Sequence, residues 1–270
     1  STHYWGGQIM TSGPVYVGAV VLLLFILSIM LIFYDSKNIR ILKISLLGLC
    51  LFSLLLSWGK NLDFFNNLFF NSFPLYNKFR TVSMILVIVQ FIVPVIAVLG
   101  LSQFLNSNID KNIKRQKVLL SGGLLVFICL LFLIFWEQFY VVSSDLSTQY
   151  SSFFDSLKNA RFSLLKDDVF RSVFLIVSCC IILMAFCLNK LNRNWVVILI
   201  TCLILFDLWN VDKRYLNNDD FVSEIKMNTP FSFPVNNDEI KLDTTVFRVF
   251  NFNEAFSGTN TSYYFHSLGG

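Results

Sequence analysis

The sequence is poor in charge and in histidine. Charged residues make up 14% of its 270 residues, the net charge is +4, and the two histidines are His3 and His266. A soluble globular domain carries about 25% charged residues, so the composition excludes an ordinary water-soluble enzyme. The basic residues form no single stripe, which argues against nucleic acid as a partner. Two distant histidines make no metal site; no cofactor is evident, and a divalent metal is conceivable but unsupported.

Apolar residues are correspondingly abundant, at 55% of the chain with 30 Phe, and lipid must cover them. A run of about 20 apolar residues crosses a hydrocarbon core of about 30 Å. The charge-free runs predict six transmembrane helices, at residues 14–34, 41–58, 81–103, 117–137, 170–189 and 194–211. The second and sixth contain fewer consecutive uncharged residues than a full crossing needs. The second therefore requires the charged end of Arg40 or Lys43 to reach the interface.

The regions outside the spans predict the domain organisation. Residues 1–13 are expected to end an outer loop, and the chain, which begins at Ser1, to be a segment of a longer polypeptide. From residue 212 onward the composition becomes polar, with strand-type residues at 244–250. We therefore predict an all-α polytopic membrane protein with six spans and interfacial helices in its outer loops. The start of an extracytoplasmic mixed α/β or β domain, residues 212–270, follows.

The distribution of Lys and Arg predicts the orientation of the chain. The connections 35–43, 110–117 and 189–193 hold nine Lys or Arg in 22 residues, whereas segments 1–13, 59–80 and 141–171 hold seven in 66. Positively charged loops stay in the cytoplasm. Both ends of the chain and the larger loops are therefore predicted to be extracytoplasmic.

The outer loop 59–80 is rich in aromatic residues and ends in cations. Its apolar residues recur at helical spacing until Pro74, which predicts an interfacial helix with its rings among the lipid headgroups. Lys78 and Arg80 follow, and together with Lys60 they are candidates to bind a lipid phosphate. The alternative is that they only anchor the third span to the headgroups.

The remaining candidates are polar residues near the outer ends of the spans. A carboxylate there could accept a proton from a hydroxyl group, or it could simply be solvated. Glu137 and Asp207 lie just inside predicted spans and are expected to point into the bundle. For Asp207 an ion pair with Lys213 or Arg214 is favoured over a transport or catalytic role. The possible polar site in the outer loops comprises Asp63, Arg161, Asp168 and Arg171.

Several stretches carry a resemblance to a known family. They are YWGGQIMTSGPVYVGAV at 4–20, SWGKNLDFFNNLFFNSFPLYNKFRTVSM at 57–84, the spacing of Arg161, Asp168 and Arg171, DLWNVDKRYLN at 207–217, and FRVFNFNEAFSGTNTSYYFHSLGG at 247–270. In these the chain resembles the YfhO-like family of bacterial membrane proteins, in the form found in Bacteroidetes-type bacteria. The NKFR and DKRYLN segments are the most specific of them.

The resemblance implies a glycosyltransferase of the GT-C type in the bacterial cytoplasmic membrane. Such an enzyme transfers a sugar from a polyprenyl-phosphate carrier to an envelope glycan, polymer or lipid on the outer face. The family's catalytic carboxylate is expected in an outer loop that has no match here, so no catalytic residue is assigned. Two alternatives remain: a component of a transporter or flippase, and a non-catalytic scaffold for envelope assembly.

Overall fold

A computed structural model describes residues 15–74, 76–78, 82–139, 151–228, 245–252 and 260–268. The chain divides into two compact units, Ser1–Tyr215 and Leu216–Gly270. In the first unit the helices are α1 Ala19–Met30, α2 Lys37–Ser57, α3 Asp63–Ser72, α4 Leu86–Asn106, α5 Lys111–Ile134, α6 Trp136–Phe139, α7 Ser151–Cys187 and α8 Arg193–Asp212. In the second unit they are α9 Glu224–Asn228 and α10 Asn260–Tyr264.

Five helices are long and apolar enough to cross a bilayer, as in a multi-pass membrane protein. They are Lys37–Ser57, Ser83–Asn106, Lys111–Ile134, Lys158–Cys187 and Arg193–Asp212. Only 22–33% of each span is buried inside the protein. The apolar remainder is far larger than a soluble monomer exposes, and it is suited to contact with lipid. The second and sixth predicted spans, which the charge pattern makes short, are full-length helices α2 and α8.

The first predicted span differs from expectation. Its helix, α1, has only 12 residues, about 18 Å in length, followed by a 3₁₀ turn at Ile32–Tyr34. Gly18 precedes it with φ 93°, outside the helical region, so the helix cannot extend toward the N-terminus. Helix α1 packs against α4, α5, α7 and α8 and is largely buried. It lies among four of the five longer helices, whereas α2 packs against α4.

Helix α7 is a second departure from expectation. A separate outer helix and a fifth span are predicted, but one helix of 37 residues, about 55 Å long, covers both. The segment Ser151–Cys187 contains neither Gly nor Pro, so nothing interrupts the helix. Asp168 and Arg171 therefore lie on a continuous helix, one turn apart, and not in a loop.

Small residues allow two helix pairs to approach closely. Gly100 of α4 lies so close to Ser28 of α1 that a Cβ atom at this position would overlap the serine. A Cβ at Gly122 of α5 would lie 2.6 Å from the Sγ of Cys180 on α7. Backbones in membrane proteins approach in this way because packing, rather than water, drives their association.

The described part of the second unit contains little regular secondary structure. A 3₁₀ turn at Asn218–Asp220 is capped by Asn217, and a single parallel bridge joins Val249 to Ser267. No strand forms in residues 245–250, the described part of the segment where the sequence predicts one. A segment with β-forming residues needs neighbouring strands to pair along its length, and here it is paired at one residue only. Residue 244, the first of the predicted strand, lies outside the described residues.

Candidate functional site

Asp207, close to the end of α8, is completely buried and accepts two hydrogen bonds. The hydroxyl of Tyr16 donates to its Oδ1 at 2.8 Å, and the backbone N–H of Ala19 donates to its Oδ2 at 2.7 Å. Ala19 is the first residue of α1, so Asp207 caps that helix from 188 positions away in the sequence. The positive end of the α1 dipole favours a carboxylate here and offsets part of the cost of burying it.

The backbone at Gly18 makes this capping contact possible. Its φ of 93° is one that side chains disfavour, and a Cβ there would lie 3.3 Å from Oδ2 of Asp207. The glycine lets the chain turn directly into α1 at the carboxylate. The late start of α1 at Ala19, which shortens the helix, follows from this turn.

Arg171 of α7 approaches the same carboxylate from a third helix. Its Nε lies 3.7 Å from Oδ1 of Asp207, and its guanidinium carbon lies 5.7 Å from the centre of the Tyr16 ring. Only 15% of its side chain is exposed. The guanidinium is therefore held by the carboxylate charge and by the ring face, at the junction of α1, α7 and α8.

Asp168 links Arg171 to a second arginine. It lies 3.4 Å from Arg171 and forms a two-pronged ion pair with Arg214, with distances of 2.7 Å and 2.9 Å. The hydrogen bond that Arg214 donates to Asp168 raises the pKa of Arg214 above its usual value, so this guanidinium stays charged. Asp168 and Arg214 are both more than one third exposed, so this ion pair is accessible to solvent or to a ligand.

These residues form a chain of alternating charges, which we call the Asp207 cluster: Tyr16, Asp168, Arg171, Asp207 and Arg214. Two carboxylates balance two guanidinium groups. Among the described residues, Nε and Nη1 of Arg171 are buried and have no hydrogen-bond acceptor. Arg171 therefore retains unused donor capacity inside a cluster that is otherwise paired, which is the usual chemistry for holding phosphate or carboxylate oxygens.

The structure brings together three of the residues singled out from the sequence and changes their pairing. Asp168, Arg171 and Asp207 meet in one cluster. The predicted ion pair between Asp207 and Lys213 or Arg214 is wrong, because Asp207 faces α1 while Arg214, beyond the end of α8, turns to Asp168. Arg161 lies on α7 ten residues before Arg171, about 15 Å away along the axis, so it belongs to a different level of the helix.

Glu137 does not point into the bundle as predicted. Helix α5 ends at Ile134, and Glu137 lies in the short helix α6 with 67% of its side chain exposed. It pairs with Lys158 at 3.1 Å, and the Lys158 ammonium also lies 5.3 Å from the Trp136 ring. The non-helical residue between α5 and α6 takes Glu137 out of the span and removes the reason for burying it.

The aromatic outer segment forms helix α3, which ends at Ser72, two residues before Pro74. Phe52 of α2 contacts Phe65 and Phe69 on one side of α3, with ring centres 6.1 Å and 5.5 Å apart. Other apolar side chains of α3 are exposed, including 85% of Phe64. The sequence correctly predicts this helix and its end.

The proposed phosphate ligands occupy the ends of this segment. Lys78 is exposed in a 3₁₀ turn, and Asp63 is exposed in the first turn of α3. Lys60 lies in the 3₁₀ turn Gly59–Leu62, but its side chain, like the whole of Arg80, lies outside the described residues. The grouping of these cations into one phosphate site remains a prediction.

A second polar cluster, missed by the sequence, lies at the opposite end of α1. Lys43 is fully buried and pairs with Asp35 at 2.8 Å, and it also donates to Gln103 at 3.2 Å. Gln103 in turn donates to the carbonyl of Leu31, where α1 ends. Of the two residues expected to reach the interface, Arg40 or Lys43, Lys43 does not do so, because a carboxylate eight residues earlier pairs with it inside the bundle. The short spacing between Asp35 and Lys43 could have indicated this pair.

One further residue of the Asp207 cluster could not be recognised from the sequence. Tyr16 lies in an apolar run and has no spacing that links it to Asp168 or Asp207, whereas Arg214 is expected from the sequence but pairs with Asp168. Within the described ranges, no group of three or more His, Cys, Asp and Glu side chains could hold a metal ion.

Comparisons with family models, with curated proteins and with solved structures found no match. No family is therefore shown for this chain, and the resemblance noted in the sequence stays a prediction.

Proposed function

We propose that this chain is the membrane part of a glycosyltransferase that uses a polyprenyl-phosphate-linked sugar and modifies an envelope glycan, polymer or lipid. The observation that carries the proposal is an exposed aromatic helix at the same end of the bundle as an arginine-containing polar cluster. A lipid-linked sugar needs both: apolar contacts for its chain, and cations to stabilise its phosphate as the sugar leaves. The resemblance supplies the reaction class.

Helix α3 has the form expected for contact with the chain of such a carrier. Phe65 and Phe69 fix it to α2, so the helix is held in place by ring contacts. Its other side chains extend away from the protein: Phe64, Leu68, Phe70 and the following Phe73 are between 50% and 85% exposed. Exposed apolar side chains around a short helix that is followed by the exposed Lys78 suit the boundary between acyl chains and headgroups.

The direction of the helices brings α3 and the Asp207 cluster to one end. The C-terminal parts of α1 and α4 meet through Leu31 and Gln103, so these helices run in parallel. The N-terminus of α1, where Asp207 lies, and the N-terminus of α4, which follows α3, therefore share an end. Arg171 and Arg214 belong to that end, where the positive-inside rule predicts the outer face.

One observation favours the transporter alternative. Helix α1 is short, and its N-terminus lies inside the bundle, as in the discontinuous helices that bind substrates in secondary transporters. Here, however, the helix N-terminus is already occupied by the carboxylate of Asp207, which excludes an anionic substrate from the same N–H groups. The glycosyltransferase is therefore the better supported of the two.

Binding of a polyprenyl phosphate to the full-length protein in lipid nanodiscs tests the proposal. Lys78→Ala combined with Arg80→Ala should weaken binding about 30-fold, since each cation near a lipid phosphate contributes about 1 kcal/mol. Lys37→Ala, which removes an exposed lysine at the other end of α2, is the matched control. Equal binding by the double variant and the control would remove the phosphate site, and failure of the unsubstituted protein to bind any polyprenyl phosphate would remove the proposed function.

A further inference from the structure

We propose that the lipid-facing side of α5 and α7 holds one anionic phospholipid, with an acyl chain in a groove between the helices and the phosphate at Lys190. The groove is lined by Leu119, Gly122, Gly123, Val177, Ile181 and Lys190, among others. Its volume is about 700 Å³, within the range of about 300–1,000 Å³ that small-molecule sites have. This site lies away from the Asp207 cluster and does not depend on the proposed sugar transfer.

The shape of the groove comes from the absence of side chains on α5. Gly122 lies against Cys180, so α5 and α7 approach closely at this level. Gly123, the next residue, has no atom within 4 Å of the place where its Cβ would be. The close approach forms the floor of the groove, and the missing side chain of Gly123 leaves it open. The walls are apolar and exposed, since Leu119 and Ile181 are 60% and 63% exposed.

The end of α7 places a cation at the mouth of the groove. Asn189 adopts φ 59° and ends the helix, and the N–H of Lys190 donates back to the carbonyl of Ala185. This is the hydrogen-bond pattern of a Schellman C-cap, in which the residue after the cap folds back against the last turn. Lys190 therefore lines the groove and does not continue the helix axis. It is exposed and forms no ion pair with any described residue.

Further positive charge borders the same end. Lys111 donates to the side chain of Asn189 at 2.9 Å, which joins the beginning of α5 to the end of α7. Arg115 lies one turn before Leu119 on the same face of α5, and within the described part of the chain its buried Nε has no hydrogen-bond acceptor. Both line a cleft of about 640 Å³ beside the groove.

An anionic lipid fits this combination better than a transmembrane helix of another protein. A helix would satisfy the apolar groove but would bring no charge for Lys190, Lys111 and Arg115. A phospholipid supplies a chain for the groove and a phosphate for the cations at its end. Basic pockets between transmembrane helices on the cytoplasmic side bind anionic headgroups, and the positive-inside rule predicts that side for this end.

Native mass spectrometry of the purified full-length protein tests the site, with phosphatidylglycerol and phosphatidylcholine of identical acyl chains as probes. Gly123→Leu places a side chain in the groove at a position where a Cβ meets no atom within 4 Å, and it should reduce retention of phosphatidylglycerol about threefold, since the lipid loses its packing contacts. Its control is Gly48→Leu on α2, also a helical glycine with nothing within 4 Å. Leu favours helix over Gly in both, so neither variant should impair folding.

The charge is tested separately. Lys190→Gln should reduce the preference for phosphatidylglycerol over phosphatidylcholine about fivefold, whereas Lys37→Gln should leave it unchanged. Equal retention by the Gly123→Leu and Gly48→Leu proteins would overturn the proposal. So would the loss of a dimer in Gly123→Leu, because the groove would then be the contact surface of a second copy.

Discussion

The two ends of α1 hold charged clusters of opposite character. At its C-terminal end Lys43 and Asp35 are eight residues apart in the sequence, and their side chains are 0% and 2% exposed. At its N-terminal end the Asp207 cluster draws on three separate segments, and its outer members are more than one third exposed. The first cluster is closed and serves to fix the turn between α1 and α2. The second extends from a buried helix cap to the surface, and only this one can meet a ligand.

The sharpest test of the closed cluster is removal of one partner. Lys43→Ala leaves Asp35 buried without its counter-charge, so the free energy of unfolding should fall by about 3–5 kcal/mol. Thermal unfolding in detergent, followed by tryptophan fluorescence, measures this loss. Lys37→Ala, on the exposed side of the same helix, should change it by less than about 0.5 kcal/mol. A mild effect of Lys43→Ala would show that water reaches Asp35.

The buried half of the Asp207 cluster should be the next most sensitive. Asp207→Asn keeps an acceptor for Tyr16 or Ala19 but removes the charge that faces Arg171 and the α1 dipole, and it should destabilise the protein by about 2–3 kcal/mol. The same unfolding measurement applies. Glu137→Gln, a carboxylate in the exposed pair with Lys158, should cost no more than about 0.5 kcal/mol. Equal effects of the two substitutions would contradict the capping role of Asp207.

The smallest effect is expected at the glycine that lets α1 meet its cap. Gly18→Ala forces a side chain into φ 93° and toward the Asp207 carboxylate, so a loss of about 1–2 kcal/mol is expected. Gly48→Ala, in the open middle of α2, should instead stabilise the protein by about 0.5–1 kcal/mol. If the free energy of unfolding falls in Gly18→Ala and rises in Gly48→Ala, backbone strain is distinguished from helix propensity. A stabilising Gly18→Ala would exclude the strained turn.

The sequence predicts the helices well where periodicity and length decide the outcome. The apolar runs of α2, α4, α5 and α8 and the end of α3 before Pro74 follow from residue types alone. It fails at α1, whose late start at Ala19 depends on a carboxylate 188 positions away, and at α7, where the expected break between an outer helix and the fifth span is helical because Gly and Pro are absent. It also fails for Glu137, since a local break in the helix turns that side chain outward.

The candidate site was predictable in part only. Asp168, Arg171 and Asp207 stand out because charge close to an apolar span is costly and needs a partner. Their partners were assigned wrongly, since sequence distance favours Arg214 for Asp207, whereas the packing of α8 on α1 directs Asp207 to Ala19 and leaves Arg214 to Asp168. Tyr16 had no local signal, because its role appears only when α1, α7 and α8 meet.

By itself the sequence determined that this is a chain of membrane-spanning helices, because a polymer so rich in apolar residues and so poor in charge must place long segments in lipid. Tertiary structure decided which short helix lies among the longer ones and which charges neutralise one another. Those outcomes depend on contacts between segments far apart in the chain, and hydrophobic periodicity carries no information about them. Composition thus determines where the chain lies, and packing determines which of its polar atoms remain available to bind.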